Sequence, residues 1–203
     1  IEASDFVQFT GSTATGRLIA RQAGERLTAC SLELGGKNPM LVLADADLDV
    51  AVPGAIRGAF SNSGQLCISI ERLYVHETLY HRFLDRLVNE TRAMRLGVAL
   101  DYESDMGGLS SADQLAKIRS HVEDAVAKGA KLLCGGRHRP DLAPFYFEPT
   151  ILAGVTPAME LYAEETFGPV VAVYSFESVN EAVERANDSR YGLNASIWTR
   201  DTD

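Results

Sequence analysis

The sequence has 203 residues and is 46% hydrophobic, which is enough to bury a substantial core in one domain, or in one domain and part of another. Its 28 acidic and 19 basic residues give a net charge of −9, which argues against a nucleic-acid partner and against an anionic membrane surface. No apolar run is long enough to span a bilayer, and no basic-then-apolar signal opens the chain. We therefore predict a cytoplasmic protein without a membrane partner.

The cysteines and histidines of the sequence favour neither a disulfide framework nor a metal centre. Cys30, Cys67 and Cys134 are scattered and form no Cys-x-x-Cys pair, which fits a reducing compartment and free thiols. The four histidines form no His-x3-His cluster, so we predict no metal site. The chain opens at Ile1 without an initiator methionine, and we interpret it as a piece of a longer protein.

The first 30 residues indicate a strand, a glycine turn and a helix. Residues 6–10 alternate apolar and polar side chains and are rich in strand formers. After the turn at residues 11–16, one helical face is predicted to carry Leu18, Ile19, Ala23 and Leu27. A helix that starts after such a turn offers backbone N–H groups to a phosphate. The P-loop signature is incomplete here, and a plain N-terminal cap by Ser12 or Thr13 explains the turn equally well.

The segment Glu33-Leu34-Gly35-Gly36 places one acid before two glycines, at the end of a short apolar stretch. Most glutamates are surface acids, and a position near a turn fits that role. Alternatively, the glycine pair lets the backbone pass close to a ligand, with Glu33 pointing into the same space. Residues 40–43 then indicate another strand.

The acidic run at residues 45–49 resembles the start of a calcium loop, but its sixth and twelfth positions lack the required glycine and glutamate. We interpret Asp47 instead as the N-cap of a helix that includes residues 51–60, with the neighbouring acids complementing the helix dipole. Pro53 is expected to perturb the first turns of this helix.

The next stretch is small, polar and glycine-bearing, and it places Cys67 between Leu66 and Ile68. It connects the helix that ends at residue 60 to a strand at residues 71–75. A free cysteine is most often a buried, inert small hydrophobe, because reactivity needs a special microenvironment. A thiol at such a junction can also face a cleft while the flanking elements hold its backbone still, and the residues alone leave both readings open.

The second half of the chain continues the alternation of helices and strands. Core-facing helical stripes are predicted at Tyr80, Phe83, Leu84, Leu87, Val88 and Thr91, and at Leu115, Ile118, Val122, Ala125 and Val126. Extended segments are predicted at residues 132–134, 147–152, 170–173 and, after a loop, up to 199. Cys134 is interpreted as a structural thiol, and Ser178 with Glu181 as a capping box that opens the last helix. The whole pattern predicts an α/β fold with some mixed strand pairing.

A Gly-Pro turn stands directly before the strand at residues 170–173. Such a turn is a sharp local constraint and can project Glu165 and Phe167 into a cleft.

Four motifs now stand in order along the chain: Gly11-Ser12 after a strand, Glu33-Leu34-Gly35-Gly36, Gly64-Gln65-Leu66-Cys67, and Glu165-Thr166-Phe167-Gly168-Pro169. Together they resemble the aldehyde dehydrogenase superfamily, and the resemblance covers the whole chain without a large gap. The separation between Glu33 and Cys67 also matches that of the family's general base and nucleophile.

The resemblance implies an α/β fold in two parts. Residues 1–32 would be the tail end of a Rossmann-type nucleotide-binding domain. Residues 33–203 would be a catalytic domain, a mixed or parallel sheet flanked by helices and truncated at its C-terminal end. The resemblance further implies NAD or NADP as cofactor, a small-molecule aldehyde as substrate, and a homo-oligomer, either a dimer or a tetramer.

The resemblance also implies roles for individual residues. Cys67 corresponds to the thiolate that attacks the aldehyde, and Glu33 to the base that activates water to hydrolyse the resulting thioester. Positions that correspond to cofactor contacts are Gly11, Ser12, Leu34, Lys117, Glu165 and Phe167. Residues that flank the nucleophile and would line the substrate pocket are Leu66, Ile68 and Ser69.

The segments around Glu33 and Cys67 are most similar to bacterial succinate-semialdehyde dehydrogenases, which implies oxidation of succinate semialdehyde to succinate. Some members of that group carry a second cysteine two residues after the nucleophile and use it as a redox lock. Here that position is Ser69, so such a disulfide cannot form.

Several alternatives stay open at this point. The substrate can be another aldehyde or semialdehyde, or the enzyme can pass its thioester to coenzyme A, although Glu33 as a water-activating base favours hydrolysis. The chain by itself can also be a folded domain that binds no cofactor and has no dehydrogenase activity. A thiol hydrolase of the Cys-His type is disfavoured, because no histidine lies in a supporting motif.

Overall fold

The computed structural model describes residues 1–201, which fall into two compact units, residues 1–36 and residues 37 onward. The first unit contains strand β1 (Phe6–Thr10), helix α1 (Thr13–Glu25) and strand β2 (Ala29–Glu33). The two strands pair in parallel, with Thr10 opposite Glu33. The division follows Gly36 and not residue 32, so Glu33 belongs to the first unit.

Helix α1 carries part of the apolar face predicted for it, since Ala23 is buried and Ile19 is half-buried. Gly16 and Ala23 are its buried residues, whereas Leu18 is 63% exposed and Leu27 is 95% exposed. The prediction that Leu27 belongs to the helical face is wrong, because the helix ends at Glu25. Leu27 lies beyond the end of the helix with a φ of 55°, so helical periodicity does not apply to it.

The second unit alternates strands and helices. Its strands are β3 (Asn38–Val42), β4 (Ile70–His76), β5 (Lys131–Cys134), β6 (Thr150–Ala153), β7 (Val170–Phe176) and β8 (Ser196–Trp198). Its helices are α2 (Leu48–Phe60), α3 (Glu77–Arg92), α4 (Ala112–Ala127), α5 (Glu160–Ala163) and α6 (Val179–Asn187), with a 3-10 turn at Ser61–Gly64. Of residues 1–201, no helix combines the length and the apolarity needed to cross a membrane.

The helix caps predicted for α2 and α6 are confirmed. The Asp47 side chain accepts the Asp49 N–H, and the Ser178 side chain accepts the Glu181 N–H. Pro53 lies inside α2, which nevertheless runs unbroken to its end, so the expected perturbation does not interrupt the helix. The buried alanine and valine face of α2 offsets the hydrogen bond that the proline cannot donate.

The strands of the second unit form one six-stranded sheet in the order β5-β6-β7-β4-β3-β8. The β5–β6 pair is antiparallel and every other pair is parallel. Strands β3, β4 and β7 are buried along almost their whole length, as expected for parallel strands covered on both faces. The predicted α/β class with a mixed sheet flanked by helices is confirmed.

Two apolar cores lie on the two faces of this sheet. Alternate side chains of each strand go to opposite faces, so that Leu73 and Val75 join one core while Tyr74 joins the other. The first core is completed by α2 and α3, and the second by α4, α5 and α6. The result is a three-layer arrangement of helices, sheet and helices.

The parallel strands begin at one edge of the sheet, and several polar segments meet there. The Cys67 loop, residues 62–69, enters β4, and the Phe167 turn, residues 164–169, enters β7. Asn38 is the first residue of β3, and Asn194 lies just before β8. Open α/β sheets usually carry their sites at the carboxyl ends of the strands, whereas this unit gathers its candidate residues at the amino ends.

Candidate active site

The Cys67 loop has an uncommon backbone conformation. Asn62 and Ser63 have φ angles of 50° and 57°, and Gly64 follows with a φ of 68°. Non-glycine residues rarely adopt this left-handed region, and they stay there only where the surrounding structure holds them. The Ser63 hydroxyl helps to fix this conformation, because it donates a hydrogen bond to the Gly107 carbonyl at 2.9 Å. The loop is therefore a constrained turn.

The Cys67 loop packs directly against the Phe167 turn. Gly64 approaches the backbone of Gly168 so closely that a Cβ atom on residue 64 would lie 2.1 Å from the Gly168 carbonyl oxygen. Phe167, just before this contact, has a φ of 54°. Glycine is thus required at position 64 both by its φ angle and by the space available to it.

Cys67 itself is half-buried and stands between two exposed apolar side chains. Leu66 is 37% exposed and Ile68 is 54% exposed. Ser69 differs from them: it is buried, and its hydroxyl has no hydrogen-bond partner within residues 1–201. The loop therefore keeps the thiol and its apolar neighbours accessible and turns Ser69 inward, so the pocket-lining role of Ser69 stays a prediction.

Two asparagines hold the backbone of the Cys67 loop at three consecutive carbonyls. Asn38 Nδ2 donates to the carbonyls of Cys67 and Ser69, both at 2.8 Å. Asn194 Nδ2 donates to the Ile68 carbonyl at 3.1 Å. The Asn194 backbone N–H donates to Asn38 Oδ1 at 3.1 Å, which links the two side chains into one unit.

The Phe167 turn is fixed by a buried carboxylate. Glu71 accepts the backbone N–H groups of Thr166 and Phe167, each at 2.9 Å. The Lys37 Nζ lies 2.5 Å from the same carboxylate, and these two side chains are only 2% and 3% exposed. A buried ion pair is tolerated only when its remaining hydrogen bonds are made. The N–H groups of the turn supply them, so the turn and the ion pair depend on each other.

Helix α4 holds the same turn from its other side. Gln114 Nε2 donates to the Thr166 carbonyl at 2.8 Å and to the Phe167 carbonyl at 2.6 Å. About two helical turns further on, His121 Nδ1 lies 3.2 Å from the Thr166 hydroxyl. Lys117 projects from the helix between them and is exposed. The backbone N–H groups of the turn thus donate to the Glu71 carboxylate, and its backbone carbonyls accept from the Gln114 amide.

Burial and neighbouring charge shift the pKa values of two groups beside this turn. Burial lowers the pKa of Lys37, and the nearby Glu71 carboxylate opposes that shift. Burial also lowers the pKa of His121 to about 4, and the charges of Lys37 and Lys117 act in the same direction. His121 is therefore neutral at physiological pH, and its ring pairs with the Thr166 hydroxyl as an uncharged group.

The other two cysteines differ from Cys67 in their surroundings. Cys134 is buried at the end of β5, where burial raises the pKa of its thiol to about 11. Such a thiol stays protonated and inert, which agrees with the structural role predicted for it. Cys30 is exposed on β2 in the first unit. Cys67 is the cysteine on a constrained loop, half-buried at the amino edge of the sheet.

In the first unit, the predicted site residues share one end of the parallel strand pair. Glu33 ends β2 and is exposed, and its carbonyl accepts the Gly11 N–H at 3.0 Å. Ser12 caps α1, because its hydroxyl accepts the Thr15 N–H at 3.1 Å, and this confirms the capping role predicted for it. Leu34 packs on α1 where a side chain on Gly16 would meet it at 2.5 Å.

Each unit thus brings together part of the predicted set. The first unit groups Gly11, Ser12, Glu33 and Leu34 around the start of α1. The second unit groups the Cys67 loop with Glu165 and Phe167, which are both half-buried, and with Lys117 on α4. A half-buried thiol on a braced loop can act as a nucleophile, and an exposed carboxylate can accept a proton.

The residues that hold these segments in place lie outside the four sequence motifs. Lys37, Glu71 and Arg72 stand in or beside strands that are otherwise apolar, and charges in a buried strand are a signal for a paired network. No comparable signal exists for Asn38 and Asn194, because their partners are backbone carbonyls of a distant loop.

Comparison with known proteins identifies the family. The sequence model described as "Aldehyde dehydrogenase family" matches residues 2–203. A Mycolicibacterium smegmatis protein, provisionally named succinate-semialdehyde dehydrogenase (NADP+), is 54% identical over 198 residues, which are 98% of this chain and 38% of that protein. Betaine aldehyde dehydrogenase of Brucella ovis is 45% identical over 199 residues, which are 96% of this chain and 41% of that protein.

Solved structures agree with the sequence comparison. Betaine aldehyde dehydrogenase from Staphylococcus aureus, in complex with NAD+, superposes with a TM-score of 0.93 at 38% identity. The superposition covers 97% of this chain and 40% of that structure. The chain therefore spans about two fifths of the length of the relatives that it matches. Because the family model matches it almost from end to end, the chain belongs to the aldehyde dehydrogenase family.

Proposed function

We propose that the protein containing this chain oxidises an aldehyde to a carboxylic acid with NAD+ or NADP+, using Cys67 as nucleophile and Glu33 as general base. The observation that carries the proposal is the Cys67 loop. Its strained turn, its contact with Gly168 and its two asparagine braces hold a half-buried thiol between exposed apolar side chains. Strain of this kind clusters at functional sites.

The residues of the first unit fit a cofactor with phosphate groups. Helix α1 has no acidic residue in its first turn, and Gly11 and Ser12 at its start are exposed. Backbone N–H groups and the positive end of the helix dipole favour an anion there. We assign Gly11 and Ser12 to the phosphates, and Leu34, Lys117, Glu165 and Phe167 to the ribose and nicotinamide end. Residues 1–32 are accordingly proposed as the tail of the nucleotide-binding domain.

The chemistry follows from the proposed roles. The Cys67 thiolate forms a bond to the aldehyde carbon, and the carbonyl electron pair moves onto oxygen, where the Cys67 backbone N–H stabilises it. A bound NAD(P)+ would supply the hydride acceptor, and Leu34, Lys117, Glu165 and Phe167 would hold its ribose and nicotinamide end. Loss of hydride from the adduct would leave a thioester on Cys67. Glu33 then takes a proton from water, the hydroxide adds to the thioester carbon, and the carbon–sulfur bond breaks. The acid leaves, the thiolate is restored, and Glu33 releases its proton to solvent.

Succinate semialdehyde is the proposed substrate. Support comes from two relatives, in Mycolicibacterium smegmatis and Mycobacterium bovis, that are 54% and 52% identical and provisionally named succinate-semialdehyde dehydrogenases (NADP+). Relatives named betaine aldehyde dehydrogenase are less similar, at 45% identity for the Brucella ovis protein. The two substrates carry opposite charges, so a direct comparison separates them.

The nucleophile assignment is tested by following NAD(P)H absorbance in the complete protein. Cys67→Ala should abolish turnover, and Glu33→Gln should allow one burst of NAD(P)H and then stall at the thioester. Cys30→Ala, which removes an exposed thiol elsewhere, is the matched control and should turn over like the parent enzyme. Retained turnover in Cys67→Ala would refute the assignment.

The substrate and the fate of the thioester need a second experiment. Succinate semialdehyde, glutarate semialdehyde, betaine aldehyde and simple aliphatic aldehydes are compared with each cofactor, with and without coenzyme A. We expect the highest kcat/KM with succinate semialdehyde and free acid as product. A coenzyme A thioester would instead indicate an acylating enzyme. Residues 1–203 alone are expected to show no dehydrogenase turnover.

We further propose that the complete protein is a homo-oligomer, a dimer or a tetramer, as the resemblance to the family implies. Light scattering after size-exclusion chromatography measures the mass directly, and a monomer at micromolar concentration would contradict the proposal.

A further inference from the structure

The backbone carbonyls of three consecutive residues in the Cys67 loop accept hydrogen bonds from side chains. They belong to Cys67, Ile68 and Ser69, and their donors are the amide groups of Asn38 and Asn194. These carbonyls lie just before β4, where the strand ladder has not yet begun. Backbone groups outside a strand ladder need other partners, and here the partners are two side chains, at the start of β3 and just before β8.

The two asparagines act as one clamp. The Asn194 backbone N–H donates to Asn38 Oδ1, so that oxygen faces Asn194 and the Asn38 amide nitrogen faces the Cys67 loop. Asn38 is 2% exposed, and Asn194 is half-buried. The residue before Asn38 is Lys37, whose side chain is fixed in the buried ion pair with Glu71. Asn38 is therefore held within a buried, hydrogen-bonded part of the sheet.

We propose that Asn38 and Asn194 are positioning residues for the Cys67 thiol. By fixing the carbonyl of Cys67 and the next two carbonyls, they set the direction of its Cα–Cβ bond and hence the approach of sulfur to the substrate. This inference rests on the proposed function, in which Cys67 is the nucleophile. Misplacement of a reacting group by about 1 Å is enough to lower a rate about 100-fold.

The experiment uses isosteric aspartate variants of the complete enzyme. Asn194→Asp removes the donor to the Ile68 carbonyl, and Asn38→Asp removes two donors but keeps the acceptor for the Asn194 N–H. The matched control is Asn187→Asp, because Asn187 donates to a backbone carbonyl of its own helix, that of Val183, at 3.0 Å. Circular dichroism checks that each variant is folded.

The readout is the pre-steady-state burst of NAD(P)H, which reports thiol attack and hydride transfer before thioester hydrolysis. We expect the burst rate to fall about 10-fold in Asn194→Asp and about 100-fold in Asn38→Asp, with the KM for the cofactor changed less than about twofold. The double variant should fall little further than Asn38→Asp, since both residues act on one placement. Asn187→Asp should keep the parent burst rate.

The outcomes separate this inference from the proposed function. A parent-like burst rate in folded Asn194→Asp would overturn the inference, and so would a loss matched by an equal rise in cofactor KM, which indicates a merely structural role. Asn194→Asp carries the test if the buried Asn38→Asp variant does not fold. A burst that survives in Cys67→Ala would overturn the proposed function itself.

Discussion

Gly64 shows how much a single residue decides in this protein. Its φ of 68° follows two left-handed residues, and its missing side chain allows the Gly168 carbonyl to approach. No other residue type satisfies both conditions. The close contact between the Cys67 loop and the Phe167 turn therefore depends on this one position.

Gly64→Ala is expected to destabilise the protein more than an ordinary glycine substitution. The left-handed backbone costs alanine about 1–2 kcal/mol, and overpacking against backbone atoms adds about 1–3 kcal/mol. Gly154→Ala is the matched control, since Gly154 has a φ of 71° but nothing within 4 Å of an added Cβ. Urea denaturation should show a loss of about 1–2 kcal/mol for Gly154→Ala and a clearly larger loss for Gly64→Ala. Equal losses for the two variants would mean that the Gly168 backbone moves away from the added methyl group at little energetic cost.

At the scale of elements, strands β3 and β4 carry the ion pair that holds the Phe167 turn. Lys37 stands just before β3 and Glu71 within β4, and the carboxylate accepts N–H groups from a turn 95 residues further along the chain. Arg72 adds a second link, because its guanidinium donates to the Arg185 and Ala186 carbonyls near the end of α6. The neighbouring charges Glu71 and Arg72 thus tie β4 to the Phe167 turn and to helix α6.

Removing one partner of the ion pair should cost more than removing both. Lys37→Met leaves a buried carboxylate without its cation, a loss of about 3–5 kcal/mol, whereas Lys37→Met/Glu71→Gln keeps an acceptor for the turn and no buried charge. A double-mutant cycle in urea should therefore give a coupling energy of about 2 kcal/mol or more.

The exposed pair Arg119–Glu123, at 3.3 Å on α4, is the control cycle and should give about 0.3–0.5 kcal/mol. Additive losses for Lys37 and Glu71 would show that the two charges are independently solvated.

At the scale of the whole molecule, the free energy of unfolding should decrease below neutral pH because His121 is buried. Its folded-state pKa, about 4, is below the ordinary value of 6.5, so between these pH values the unfolded chain binds the proton and the folded chain does not. The contribution of His121 to the free energy of unfolding is therefore fully present above about pH 6.5, and it is lost as the pH falls towards 4. The loss is about 2–3 kcal/mol.

His121→Gln should flatten the pH dependence of the free energy of unfolding between pH 6.5 and 4, measured by urea denaturation at several pH values. His81→Gln, at an exposed position on α3, serves as the control and should leave the slope as in the parent protein. An unchanged slope in His121→Gln would show that this imidazole titrates normally in the folded state.

Much of the secondary structure follows from the sequence because its causes are local. The alternation in β1, the apolar runs in β3 and β7, and the caps Asp47 and Ser178 each depend on residues within a few positions of one another. The family and its candidate residues, Cys67 and Glu33 among them, also follow from motifs that are contiguous in the chain.

The tertiary structure alone decided what holds the Cys67 loop in place. Asn38 meets Asn194 across 156 positions, and Glu71 meets the Phe167 turn across 95. The exposure of Leu18 and Leu27 is likewise a matter of what packs against α1 and where that helix ends. Periodicity and motifs report neighbours along the chain, whereas hydrogen bonds between side chains and distant carbonyls depend on how the strands are ordered in the sheet. That order is set by the packing of the two cores, which no local pattern encodes.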